Sequence, residues 1–220
     1  HDTATLVVKR FDTACWSDTK CNLFNFNQSS TTSTGGGIYA EASSTVAIAN
    51  SYFEKNTASD GNAIWVIDES TAIIEGNVFT GNNPRNGRLG NNVIGAENTS
   101  ELTMGFNTFV DNLASDSTLD LNSSTLTNVG NLFYEGVTNP VINETSSSIT
   151  NYCIVSQNIT GITGTDITQT TSDPFVDRIN QDFHLDETYG LIAVDRCNAS
   201  VYNPALKDID HQSRGLDFDR

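Results

Sequence analysis

A short phrase returns along this chain, and its return limits the possible folds more than any other feature of the sequence. Asn/Ser-x-Phe-x-x-Asn runs from Asn22 through Phe24 to Asn27, from Ser51 through Phe53 to Asn56, from Asn77 through Phe79 to Asn82, and from Asn107 through Phe109 to Asn112. A degenerate fifth copy runs from Asn131 through Phe133 to Gly136, and a sixth is expected at Tyr152-Cys153-Ile154 to Gln157. Phe24, Phe53, Phe79, Phe109 and Phe133 are 29, 26, 30 and 24 residues apart. Units of this size cannot bury an apolar face alone and must stack on their neighbours.

Two further series keep step. Val46, Ala72, Leu102 and Leu126 each precede one of these Phe by seven residues, and Ser44, Ser70, Ser100 and Ser124 by nine. Upstream, a turn and a short apolar run recur as Gly36-Gly37-Ile38-Tyr39, Gly61-Asn62-Ala63-Ile64-Trp65 and Gly90-Asn91-Asn92-Val93-Ile94, with Leu119 and Leu121 in the next copy. Apolar residues alternate within each unit, as in Val46 and Ile48 or Leu102 and Met104, which is strand periodicity. The sequence predicts an all-β fold, a right-handed single-stranded parallel β-helix of about six to eight coils. At about 4.8 Å per coil this is a rod roughly 30 to 40 Å long with the Phe stacked inside. Residues 1–172 form the coils and 173–220 an irregular C-terminal cap of the same domain. Asn56, Asn82 and Asn112 read as a hydrogen-bonded ladder from coil to coil, and the serine series as turn chemistry.

The GGIY run Gly36 to Tyr39 and the Phe53-Glu54-Lys55-Asn56 run resemble the GGAIY and FxxN repeats of polymorphic outer-membrane proteins and of secreted right-handed β-helix proteins in the pectate-lyase-like superfamily. The tail, with Asp182-Phe183-His184-Leu185, Ile192 to Asp195 and Asp208 to Arg214, resembles the closing segment of bacterial surface β-helix proteins that often precedes an anchor, with Arg196 and Cys197 where Gly usually follows. The superfamily holds lyases, hydrolases, adhesins and passive scaffolds, so the resemblance implies a fold rather than an activity.

The 27 acidic and 11 basic residues give a net charge of -16, which repels phosphate backbones and anionic headgroups and argues against nucleic acid or membrane partners. No apolar run reaches the roughly 20 residues of a spanning helix. The chain opens at His1 and its single methionine is Met104, which reads as a processed or partial chain. Cys15 with Cys21 and Cys153 with Cys197 is the favoured disulfide pairing, which places the protein in an oxidising, extracellular compartment. Six sequons, at Asn27, Asn98, Asn122, Asn143, Asn158 and Asn198, are possible glycosylation sites, a number that chance yields in a chain this rich in Asn, Ser and Thr.

Catalytic candidates are few. A polysaccharide lyase on this fold needs a cationic base beside acidic residues that hold calcium, and Arg85 and Arg88 with Asp111 and Asp116 are the set the sequence offers. A glycoside hydrolase needs carboxylates on one face. Asp68, Glu69, Glu97, Asp111, Asp116 and Asp120 are available, yet they fall in different phases of the repeat. A copper site at His1 would need His184 or His211, both in the cap. Asp173, Asp177, Asp182, Asp186, Asp208 and Asp210 could hold a structural calcium; no other metal or cofactor is expected. The sequence therefore reads as a non-enzymatic extracellular structural or adhesive rod, with a place as one subunit of a head-to-tail filament. Its partners would be other copies of itself, cell-surface components or carbohydrate, and a carbohydrate-active enzyme is the alternative.

Overall fold

The computed structural model describes residues 4–8, 22–29, 33–82, 91–136 and 140–190. The chain winds as a parallel β-solenoid of about five turns, each turn contributing a strand to three faces. Face A holds β1 (Thr5–Val8), β4 (Thr45–Ala49), β7 (Thr71–Glu75), β10 (Glu101–Gly105) and β13 (Thr125–Val129). Face B holds β2 (Leu23–Asn25), β5 (Tyr52–Glu54), β8 (Val78–Thr80), β11 (Thr108–Val110) and β14 (Leu132–Tyr134). Face C holds β3 (Ile38–Ala40), β6 (Ile64–Val66), β9 (Ile94–Glu97), β12 (Leu119–Asn122) and β15 (Ile142–Thr145). The long β16 (Ser148–Ser156) continues both face A and face B, and β17 (Thr165–Gln169) pairs with it to end the stack. The turn count falls just short of the six to eight expected, because after β17 the chain leaves the stack. Among the described residues no helix is long and apolar enough to cross a membrane.

Register follows the repeat. Phe24, Phe53, Phe79, Phe109 and Phe133 are cross-strand partners, and successive rings stack at 4.5, 4.8, 4.6 and 4.7 Å between centroids. Offset aromatic pairs of this kind contribute about 0.5–1.5 kcal/mol beyond their buried area. Val46, Ala72, Leu102 and Leu126 form a second inward row on face A, and Ile38, Ile64, Ile94, Leu119 and Ile142 a third on face C. The sixth copy is displaced from its expected place. Ser156, rather than Ile154, takes the register of Phe133, because β16 crosses the corner as one continuous strand.

Both asparagines of the phrase form ladders, one on each side of the Phe column. At the corner between faces B and C, Asn56 Nδ2 donates back to the Phe24 carbonyl (2.8 Å) and forward to Asn82 Oδ1 (3.0 Å), which also accepts the Asn56 backbone N–H. Asn82 and Asn112 repeat the pattern. At the corner between faces A and B, Asn77 and Asn107 do the same, and Asn131 ends the ladder by donating to the Met104 carbonyl and to Asn128 Oδ1. Only asparagine has a donor and an acceptor at this reach, so the phrase tolerates little else. The fifth copy lacks its final Asn, and the buried carboxyl group of Glu135 replaces it, accepting the Asn112 N–H at 2.7 Å and Nδ2 at 3.1 Å. The corner between faces C and A is built differently, from consecutive left-handed residues: Ala42-Ser43, Asp68-Glu69 and Asn98-Thr99 all have positive φ.

The described part of the predicted cap does not sit over the end of the rod. β18 (Phe175–Asp177), a single 3-10 turn (Arg178–Asn180) and β19 (Asp182–Leu185) form an antiparallel strap. It lies along face B and packs on the outward residues Val78, Val110, Leu132, Tyr134 and Val155, which with Phe175 make a second apolar cluster.

Candidate functional site

Two surfaces carry chemistry. On face C the outward row reads Tyr39, Trp65, Gly95, Asp120 and Asn143 from coil to coil. Trp65 is only 4% exposed because its indole lies over Gly95; a Cβ at position 95 would come within 1.9 Å of the ring. Glu97, at the end of β9, and Asp120 share this face. Burial, the neighbouring charges of Asp120, Asp60 and Asp68 acting in the same direction, raises the Glu97 carboxyl above its ordinary value against the opposing bond from Asn122. Burial also raises Asp120, with Asp60 and Asp116 adding to it and the Asn143 amide opposing it. The sequence put these carboxylates in different phases of the repeat. The structure corrects this, because a corner residue of one coil and a strand residue of the next meet on the same face. Asp60 was not singled out from the sequence; its only signal is its place before Gly61 in the turn that opens each face C strand.

The second surface is the groove where the strap meets the corner between faces B and C. It encloses about 450 Å³ and is lined by Lys55, Thr80, Gly81, Asp111, Arg178 and Gln181, with Leu113 and Ile179 at its rim. Lys55, Gly81 and Asp111 hold the same left-handed corner position in successive coils, which aims the Lys55 and Asp111 side chains along one line with a gap at Gly81 between them. Arg178 donates through Nη1 to Asp111 (2.5 Å) and through Nε to Asp173 (2.7 Å), and these two bonds raise its already high pKa. Its guanidinium also lies 5.4 Å from the centre of the Tyr134 ring. Lys55 pairs with Glu54 Oε1 at 2.6 Å, and Gln181 Nε2 donates to the same oxygen at 3.1 Å.

The predicted lyase set is only partly visible. Arg85 and Arg88 lie outside the described residues. Asp111 meets an arginine, but it is Arg178, contributed from 67 residues further along the chain. Asp116 lies on the approach to β12, and its charge acts on Asp120 rather than beside Asp111. The acidic series of the tail is committed locally. Asp173 binds Arg178, Asp177 caps the 3-10 turn, Asp182 bonds His184, and Asp186 accepts the N–H groups of Thr188 and Tyr189. Among the described residues no three His, Cys, Asp or Glu are grouped to hold a metal ion. His1, Asp208, Asp210 and His211 lie outside them.

Of the sequons, Asn98, Asn122 and Asn143 are exposed at face C or its edge, and the Nδ2 of Asn98 and Asn143 donate to Asp68 and Asp120. Asn27 is the first rung of a ladder, donating to Asn56 Oδ1 at 2.9 Å, so a glycan there would remove that bond. Asn158 caps its own turn by accepting from Thr160 N–H, and Asn198 lies outside the described residues. Cys153 is buried at a left-handed position in β16, while Cys15, Cys21 and Cys197 lie outside the described residues. No protein family model, curated protein or solved structure matches the chain.

Proposed function

We propose that this chain is a non-enzymatic extracellular rod with a structural or adhesive role, a subunit that stacks end to end with copies of itself on a cell surface. The observation that carries this reading is the outward side of face A. Thr5, Thr45, Thr71, Glu101, Thr125 and Ser148 form one row along the rod, and Val7, Ala47, Ile73, Thr103, Thr127 and Thr150 form the next. All twelve are at least partly exposed. Parallel coils space the residues within each row about 4.8 Å apart along the rod, a regular hydroxyl and methyl lattice suited to an ordered surface such as a polysaccharide. The first coil supports stacking, since Leu6, in register with the inward Val46, is 43% exposed at that end. The Cys153–Cys197 and Cys15–Cys21 pairings belong to the same extracellular reading, and intact mass without reduction tests them.

Replacing Thr103, Thr127 and Thr150 together by Asp tests the adhesive surface. The reading expects loss of binding to insoluble cell-surface polysaccharide with the fold intact by circular dichroism. Electron microscopy and light scattering test the stacking. A strictly monodisperse 23.8 kDa species at high concentration that binds no surface polysaccharide would overturn the reading.

The enzyme reading keeps one supporting observation, the Glu97 and Asp120 carboxyls, both raised and both on face C. Two carboxyls on one face are the groups glycoside hydrolysis uses. Turnover of a neutral polysaccharide that disappears in both Glu97→Gln and Asp120→Asn would favour it over the structural role.

A further inference from the structure

The strap and the face beneath it are separable pieces of structure. The described backbone bonds of residues 173–190 close within the segment: Gln181 N–H to the Arg178 carbonyl, Asp186 N–H to Pro174, Gly190 N–H to Asp186, and the β18–β19 pair. The strands of face B, in turn, satisfy one another from β2 to β16 without it. What joins the two pieces is side-chain contact. Phe175 stands edge-on to Tyr134 at 5.9 Å and to Phe183 at 5.5 Å, Arg178 reaches Asp111, and Gln181 reaches Glu54. The strap leaves the last coil through residues 171–174, just past Thr170, which is buried and bonded through its N–H to Ser156. With the Cys153–Cys197 pairing in place, the strap would leave as a loop held at Thr170 and at Cys153, while every coil stays paired.

Charge says what the uncovered face would accept. Lys55 and Arg178 are the only Lys or Arg among the described residues of a chain carrying -16, so two copies repel over most of their surfaces. The strap tip brings one of those two cations to Asp111 at the receiving corner. A second copy therefore offers a complementary address at this place, with the same aromatic anchors, at little cost in new contacts.

We propose that the 173–185 strap is exchangeable: it detaches from its own rod and docks on face B of a second copy through the contacts it makes at home. The exchange links copies side to side. It extends the assembly reading above but does not require the end-to-end stack.

Charge reversal across two full-length chains tests it. In an Arg178→Asp chain and in an Asp111→Arg chain the strap meets a like charge on its own rod. Mixed together, each strap finds an opposite charge on the other chain. The expected result is a mixed dimer, read by native mass spectrometry and sedimentation, about tenfold more abundant in the 1:1 mixture than in either variant alone. The chain carrying both substitutions restores the home contact and returns to monomer. A mixture that stays monomeric overturns the proposal. Should either variant fail to fold, labelled and unlabelled wild-type chains are mixed at high concentration beside an Arg178→Ala pair: mixed-mass dimers that form only with Arg178 present support exchange, and equal dimers in both mixtures, or none, overturn it. Filaments that form while no mixed dimer appears would leave the end-to-end reading standing and remove this one.

Discussion

Faces A and B both bury an inward row, aliphatic on A and phenylalanine on B, and they differ most in what points outward. On face A the outward positions are mostly threonine and meet water; on face B they are Val78, Val110, Leu132, Tyr134 and Val155, and they meet the strap. A β-strand alternates only when one side is solvated. Three-residue strands such as Val78-Phe79-Thr80 and Leu132-Phe133-Tyr134 are buried throughout because both sides are covered. The comparison teaches that the solenoid core needs nothing from the strap, whereas the outward side of face B does.

The largest expected effect lies in what the two faces share. Phe79 is fully buried between two rings, and Phe79→Ala should destabilise the fold by about 3–5 kcal/mol in urea unfolding, with Phe109→Ala giving the same. The difference between the faces comes next. Leu132→Ala, outward on face B, should cost about 2–3 kcal/mol, while Thr127→Ala, outward on face A, should change stability by less than about 0.5 kcal/mol. Equal costs at the two positions would mean that the strap does not cover face B in solution.

A third prediction concerns the end of the ladder between faces B and C. Burial raises the Glu135 carboxyl from 4.5 to about 8, against the two bonds from Asn112. The folded protein therefore binds a proton more tightly than the unfolded chain. The stabilisation is full below about pH 4.5 and is lost as pH rises through 8, with an expected loss of about 1 to 3 kcal/mol. Urea midpoints between pH 5 and 8 should fall for the wild type, and the slope should flatten in Glu135→Gln. A midpoint that rises over this range would count against a buried, protonated Glu135. The smallest expected effect is at the corner between faces C and A. Thr99 is a β-branched residue at φ 61°, and Thr99→Gly should raise stability by about 0.5–1 kcal/mol in the same assay.

The coil, the Phe column and the asparagine ladders were legible in the sequence because they are periodic. Each Phe meets the Phe about one turn away in sequence, so a fixed interval in the chain is a fixed interval in space, and Asn56, Asn82 and Asn112 announce the ladder before any coordinate is known. Where the period breaks, prediction fails in small ways: Glu135 takes the rung expected at Gly136, and Ser156 the column position expected at Ile154. Only the tertiary structure decided what the non-repeating residues meet. Arg178 reaches Asp111 across 67 residues, Gln181 reaches Glu54 across 127, and Asp60, Asp68 and Asp116 gather around Glu97 and Asp120 from different coils. Such contacts have no interval to read. They are set by the side of the rod on which the chain leaves its last coil, and by the solenoid bringing distant segments to one face.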